Sequence, residues 1–175
     1  MSMLLGYLGR ERVSAAQLER LYEQGKARPG FATEVVAALA QLDPDIAHRA
    51  VWLLRKLAGE TRLDDAAMRR VVEYIDASGH WIFRLTLCQL FAETDCPRDV
   101  ADDVRAFLRK NVEDRRVIIR AWALTALMRM PRELVSESER QQLWRAAERD
   151  PAKSMQARLR LLKRRHAARR ACSTR

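Results

Sequence analysis

Apolar residues recur at helical spacing along most of the chain. Residues 51–58 are typical, because Val51, Leu54, Leu57 and Ala58 follow the three- and four-residue steps of an amphipathic helix. Alanine and leucine, which favour helices, dominate the apolar set over β-branched residues. No stretch alternates in the manner of a strand, and no Asn-Gly hairpin signal occurs. The pattern predicts an all-α protein.

Proline and glycine separate the periodic stretches. Proline cannot continue a helix interior and glycine weakens one, so both indicate boundaries. These breakers are Pro29, Pro44, Pro97, Pro131 and Pro151, with Gly25, Gly30, Gly59 and Gly79. The predicted helices cover residues 14–24, 32–42, 45–58, 63–77, 80–93, 98–111, 115–130, 137–149 and 152–168.

Two stretches look like copies of one element, HWIFRLTLCQLFAE at 80–93 and RRVIIRAWALTALMRM at 115–130. After the first helix, the predicted helices form four pairs, and the second helix of each pair can be aligned on one arginine. These residues are Arg49, Arg84, Arg120 and Arg158, at spacings of 35, 36 and 38 residues. A period near 35 residues in helix–turn–helix units is typical of an α-solenoid. We expect the first three arginines to bridge neighbouring repeats by hydrogen bonds to carbonyls or carboxylates.

The stretch VIIRAWALTALMRM resembles the second helix of a HEAT repeat, which has an arginine after an apolar residue, followed by spaced alanines and leucines. The resemblance covers residues 31–168. It implies a right-handed α-solenoid of about four HEAT-like helical hairpins with an N-terminal capping helix. The expected organisation is one domain, 1–168, with 1–30 as the cap and 31–168 as the repeats. Residues 169–175 are predicted to form a disordered basic tail.

The sequence also departs from the HEAT pattern. Many HEAT units carry an aspartate at a set distance before the arginine, whereas Asp45, Asp114 and Asp150 stand at unequal distances from theirs. For Arg84 the only local candidate is Asp76. A compact, non-repeating helical bundle therefore remains the alternative architecture.

The net charge of +10 is concentrated at the C-terminal end. Residues 145–175 hold eleven lysines and arginines against Glu148 and Asp150, a net +9, whereas residues 1–144 are nearly neutral at +1. Clustered arginines suit phosphate, because the guanidinium fork binds it in a bidentate manner. The hypothetical phosphate contacts are Arg158, Arg160, Lys163, Arg164, Arg165, Arg169 and Arg170.

The last helix also has a simpler interpretation. Met155, Leu159, Leu162 and His166 form a narrow apolar stripe that would dock on the preceding helix. Its charged face would then be the polar outer face of a terminal cap, as solenoid ends require.

Tryptophan marks a second candidate surface. Trp52, Trp81 and Trp122 fall in the second helices of predicted pairs, and the resemblance to HEAT solenoids implies that these helices line a concave face. Core packing is the alternative role for each tryptophan. The hypothetical concave binding set is Arg55, Lys56, Trp81, Trp122 and Arg129.

No motif indicates catalysis, a cofactor or a metal site. The three cysteines form no CxxC pair, the three histidines are scattered, and glycine-rich phosphate loops are absent. The odd cysteine count is typical of a reducing compartment. No charge-free apolar run approaches the roughly 18 residues of a membrane span, and no secretory signal pattern is present. We therefore expect a cytoplasmic protein without catalytic residues, cofactor, metal or membrane contact.

Two functions follow as hypotheses. The first is a non-catalytic scaffold that binds a protein partner through a helical-repeat surface. The alternative is nucleic-acid binding through the basic C-terminal helix. HEAT-like DNA alkylpurine glycosylases resemble this architecture, but none of their functional positions can be matched here, so a non-enzyme is favoured. A uniformly basic concave surface would favour nucleic acid, and a mixed or apolar one would favour a protein.

Overall fold

A computed structural model describes residues 3–60, 63–77 and 79–173, with side chains up to residue 164. Within these residues the chain forms ten α-helices, one 3₁₀ turn at Arg98–Val100 and no strand, which confirms the all-α prediction. The helices are α1 (Met3–Leu8), α2 (Ala15–Gly25), α3 (Phe31–Leu39), α4 (His48–Glu60), α5 (Asp65–Glu73), α6 (Trp81–Glu93), α7 (Ala101–Asn111), α8 (Val117–Arg129), α9 (Glu137–Arg149) and α10 (Lys153–Ser173).

Side-chain caps fix where several helices begin. Ser14 and Gln17 form a reciprocal capping box before α2, with the Gln17 amide oxygen 2.7 Å from the Ser14 nitrogen. Asp64 accepts a hydrogen bond from the Ala67 nitrogen at the start of α5, and Ser136 caps α9 in the same way. Each side chain satisfies an N–H that would otherwise lack a partner, so these local signals act together with the periodicity.

Helices α4, α6, α8 and α10 pack side by side in chain order, and we call them the second-helix row. Helix α3 packs on α4, α7 on α8, and α9 on both α8 and α10. Helix α6 lies between α4 and α8, and its Phe83, Leu87 and Leu90 are fully buried. The hydrophobic core therefore extends along the second-helix row. Among the described residues, no helix is both long and apolar enough to cross a membrane.

Segment 1–30 differs from the expected single capping helix, because it contains two helices. Helix α1 buries Leu4 and Leu8 and packs on α3, while α2 packs on α4. Arg49 of α4, only 7% exposed, donates hydrogen bonds to the carbonyls of Leu8, Arg10 and Glu11. This side chain ties the end of α1 to the second-helix row. At the other end, α10 continues to Ser173 and therefore includes most of the predicted basic tail, residues 169–175.

Arg84 and Arg120 make hydrogen bonds to carboxylates that are remote in sequence, the kind of contact expected for them. Arg84 donates to Asp114, and Arg120 donates to Asp150 through Nη2 at 2.6 Å. Both acceptors lie 30 residues after their arginine, immediately before or near the next second helix. Asp76, the local candidate, is therefore not the partner of Arg84. The acceptor is Asp114, which comes shortly before α8.

The alignment on one arginine holds only in the middle of the chain. Arg84 and Arg120 are each the fourth residue of their helix, whereas Arg49 is the second residue of α4 and Arg158 the sixth of α10. The fourth residue of α10 is Gln156, whose Nε2 donates to the carbonyls of Ala147, Glu148 and Asp150. In α10 this helix position therefore holds a glutamine that binds the end of α9 and the residue after it, whereas Arg84 and Arg120 bind aspartates later in the chain.

Candidate binding surface

The three tryptophans of the second-helix row are neither fully core nor fully exposed. Trp52 of α4, Trp81 of α6 and Trp122 of α8 are each partly buried and pack against the main core. Each therefore contributes to packing on one side and offers part of its ring to solvent. The packing of these rings against the core agrees with the core alternative in part, and their exposed portions remain available for contact.

Trp122 has cations from two other helices over its ring. The guanidinium carbon of Arg158, from α10, lies 3.7 Å from the ring centroid. That of Arg55, from α4, lies 5.8 Å away. Both distances are within the range of a cation–π interaction. Because α6 separates α4 from α8 in the row, the Arg55 side chain reaches across a helix, so Trp122 joins elements on both of its sides.

Arg55 is also held by a carboxylate. Its Nε and Nη2 donate to the two oxygens of Glu93 at 3.0 and 2.9 Å, a bidentate geometry. Glu93 is the last residue of α6, and the two side chains are 28% and 32% exposed. No local sequence signal distinguishes Glu93, because its partner lies 38 residues earlier.

The other two cations of the predicted concave set are neutralised as well. Lys56 lies 2.9 Å from a Glu19 oxygen and 5.6 Å from the Trp52 ring centroid. Arg129 donates to the Ala92 carbonyl and lies 4.0 Å from Asp95. Together with the Arg55–Glu93 pair, these contacts give the row a surface of mixed charge and aromatic edges, not a uniformly basic one.

The starts of α4 and α6 lie together through stacked rings. His48 and His80 have centroids 5.7 Å apart, and His80 stacks in turn on Trp81 at 6.2 Å. Arg116 covers Trp81 with its guanidinium carbon 5.3 Å from the centroid. Burial lowers the pKa of His48, and the nearby charges of Arg49 and His80 lower it further. A neutral His48 therefore serves packing at neutral pH.

The docking stripe of α10 packs as its periodicity indicates. Met155, Leu159 and Leu162 are buried in a second, smaller core shared with residues of α8 and α9. The contact is made with α8 as well as with the preceding helix α9. His166, the fourth residue of the predicted stripe, lies outside the described side chains.

The predicted phosphate-contact residues fall into different environments. Arg158 faces Trp122, and Lys163 lies 3.1 Å from Glu148 and 5.6 Å from the Trp144 centroid. Within α9, Trp144 donates from Nε1 to the same Glu148 at 2.9 Å, so it is the Lys163–Glu148 pair that links α9 to α10. Arg160 and Arg164 are exposed and make no ion pair within the described residues. The side chains of Arg165, Arg169 and Arg170 lie outside that part of the chain.

Neither of the two thiols in the described part of the chain, Cys88 and Cys96, is activated. Burial raises the pKa of Cys88 strongly, and burial with Asp99 and Asp65 raises that of Cys96 to about 11. Both thiols are therefore protonated at neutral pH, which makes them poor nucleophiles. No group of three His, Cys, Asp or Glu side chains that could hold a metal occurs in the described ranges. A cavity of about 490 Å³ is lined mainly by α1, α2 and α3 residues and contains no nucleophile–base pair.

Comparisons with known protein families, curated proteins and solved structures returned no match for this chain.

Proposed function

We propose that the chain is a non-catalytic HEAT-like scaffold whose second-helix row forms the concave face of a right-handed solenoid and binds a protein partner. The observation that carries this proposal is the surface of the row. Three partly exposed tryptophans lie on successive helices, each with a lysine or arginine beside its ring.

The repeat interpretation is supported by contacts that recur with the same spacing. The Arg84–Asp114 and Arg120–Asp150 pairs both span 30 residues and both link one second helix to the loop before the next. The side-by-side packing of the row in chain order is the arrangement that repeating helical pairs would produce. We infer five helix pairs, with α1 and α2 as the first.

A protein partner suits this surface better than a polyanion. Protein interfaces are enriched in tryptophan and arginine and tolerate both signs of charge at their rims. A polyanion needs cations that are free to contact phosphate, whereas Arg55, Lys56 and Arg129 already face carboxylates. An enzyme would need an activated nucleophile or base, and Cys88 and Cys96 are both protonated.

Site-specific photo-crosslinking tests the proposal. A photoreactive residue at Gln89, partly exposed on α6, is compared with one at Ala106, exposed on α7 outside the row. We expect a discrete protein adduct from position 89 and none from position 106. The adduct's protein component is then purified and titrated against the chain.

The titration includes a matched pair of surface variants. Ile118 is an apolar side chain of α8 that is 43% exposed, so Ile118→Asp should weaken the complex at least about tenfold, the effect of losing an interface anchor. Ala106→Asp is the control and should leave affinity unchanged. Equal crosslinking at both positions, or an Ile118→Asp variant that binds normally, would contradict the proposal.

A further inference from the structure

Three basic side chains of α10 lie along one side of the helix. Lys153, Arg160 and Arg164 are separated by seven and four residues, which places them within roughly 40° of one another on a helix of 3.6 residues per turn. All three are exposed. The buried residues Met155 and Leu159 face the opposite side. We call Lys153, Arg160 and Arg164 the basic stripe.

The carboxylates closest in sequence to the basic stripe already bind other residues. Within residues 145–175 the acids are Glu148 and Asp150. Glu148 binds Lys163 and Trp144, and Asp150 binds Arg120. The described residues thus provide no carboxylate partner for Arg160 or Arg164, and the positive charge of the stripe faces solvent.

The size and composition of the stripe fit a phosphate backbone. Eleven residues of helix span about 16 Å, a length over which duplex DNA carries several phosphates at one charge per roughly 1.7 Å. The sequence of α10 contains no tryptophan, tyrosine or phenylalanine, so contacts to phosphates are expected without stacking on bases. An anionic membrane fits less well, because α10 has no such ring to enter the lipid interface.

We propose that α10 binds the phosphate backbone of nucleic acid through Lys153, Arg160 and Arg164, on the face opposite to its docking residues. This surface is separate from the tryptophan-bearing surface of the second-helix row. A scaffold with both surfaces would hold a protein partner close to a nucleic acid, and each binding event can be tested without the other.

The test is fluorescence anisotropy of a short labelled DNA duplex titrated with the full chain across a salt series. The stripe variant carries Lys153→Gln, Arg160→Gln and Arg164→Gln. The control carries Arg12→Gln, Arg20→Gln and Arg98→Gln, three exposed arginines elsewhere that make no ion pair in the described residues. Both variants lose three positive charges. A difference between them therefore shows that binding depends on the basic stripe and not only on the net charge of the chain.

We expect the wild-type chain to bind with a steep salt dependence. The stripe variant should bind at least about tenfold more weakly at about 50 mM salt, and its log–log slope should flatten by about 2 to 3, since each lost phosphate contact removes roughly 0.9. The control should remain close to wild type. Lys163 is left unchanged because it anchors α10 to Glu148, and circular dichroism verifies helicity.

Three results would overturn the proposal. The first is no duplex binding at low salt, where electrostatic attraction is strongest. The second is an equal loss of affinity in the stripe variant and the control, or no loss in the stripe variant. The third is stripe-dependent binding to phosphatidylserine vesicles without duplex binding, which would assign the stripe to a membrane surface. None of these results bears on the crosslinking from Gln89, so the two proposals fail separately.

Discussion

Arginines of α8 and of α10 carry the same charge but occupy different environments. Arg120 has a side chain 23% exposed and binds Asp150, itself 13% exposed. Arg160 and Arg164 lie on the solvent face of α10 without an ion pair among the described residues. A guanidinium that loses water on folding must find acceptors, whereas one at the surface keeps its hydration. The number of arginines in a helix therefore predicts neither stability nor binding unless the burial and the partners of each side chain are known.

Removing a paired arginine should have the largest effect. Arg120→Ala deletes two contacts to Asp150, at 2.6 and 3.1 Å, and two to the carbonyls of Asp114 and Arg115. We expect the free energy of unfolding to fall by about 2–4 kcal/mol, because the remaining acceptors lose a charged donor. Urea unfolding measures this. Arg115→Ala, at an exposed neighbouring position, is the control, and a loss below about 1 kcal/mol for Arg120→Ala would contradict the assigned role.

Acid should weaken the same connections. Burial alone would raise the pKa of Asp150, but the Ala152 N–H and the Arg120 guanidinium hold it below its ordinary value of 3.8. Burial also opposes the shift at Glu139, where Arg109 and Arg105 nevertheless lower the pKa below 4.5. A depressed folded-state pKa adds stability above the unfolded value, and that stability is lost as pH falls through the folded value.

The unfolding free energy should therefore decline as pH drops below about 4, near the ordinary carboxyl values. Asp150→Asn removes one of the responsible groups and should make that decline shallower. Chemical unfolding over an acid pH series measures the slope for both proteins. An unchanged slope would mean that Asp150 titrates alike in the folded and unfolded chain.

Smaller couplings should follow exposure. The Arg55 and Glu93 side chains are 28% and 32% exposed, while those of Arg69 and Asp99 are 45% and 56% exposed. Double-mutant cycles should give a coupling of about 1 kcal/mol for the first pair and a smaller coupling for the second, since exposed pairs are screened by solvent. A larger coupling for the second pair than for the first would contradict the expected relation between the burial of an ion pair and its contribution to stability.

The all-α fold and most helix positions could be predicted because they depend on local signals. Helix α9 matches its predicted range of 137–149, where a Ser136 cap begins it. Helix α1 was not predicted, because six residues are too few for periodicity to register. Predicted helix 32–42 ends at Leu39, so the boundary erred where no strong breaker follows directly.

The candidate site was harder to predict because its contacts are remote in sequence. Trp122 and Arg129 were expected on a binding surface, yet their partners Arg158 and Ala92 lie 36 and 37 residues away. Glu93 was not part of the predicted binding set, because no neighbouring residue in the sequence distinguishes it from a solvent-exposed glutamate. Periodicity identifies the exposed side of a helix, whereas the charge that faces it depends on how the helices stack.

We propose that paired cations such as Arg120, which binds Asp150, stabilise the second-helix row, whereas the three cations of the basic stripe on the solvent face of α10 bind a ligand. Urea unfolding of the Lys153→Gln, Arg160→Gln, Arg164→Gln variant beside Arg120→Gln tests it most directly. The stripe variant should stay within about 0.5 kcal/mol of wild type, as surface changes usually do, or gain slightly from reduced repulsion. Arg120→Gln should lose at least about 2 kcal/mol. A loss above about 1 kcal/mol in the stripe variant would show that its charges are structural, which contradicts the claim.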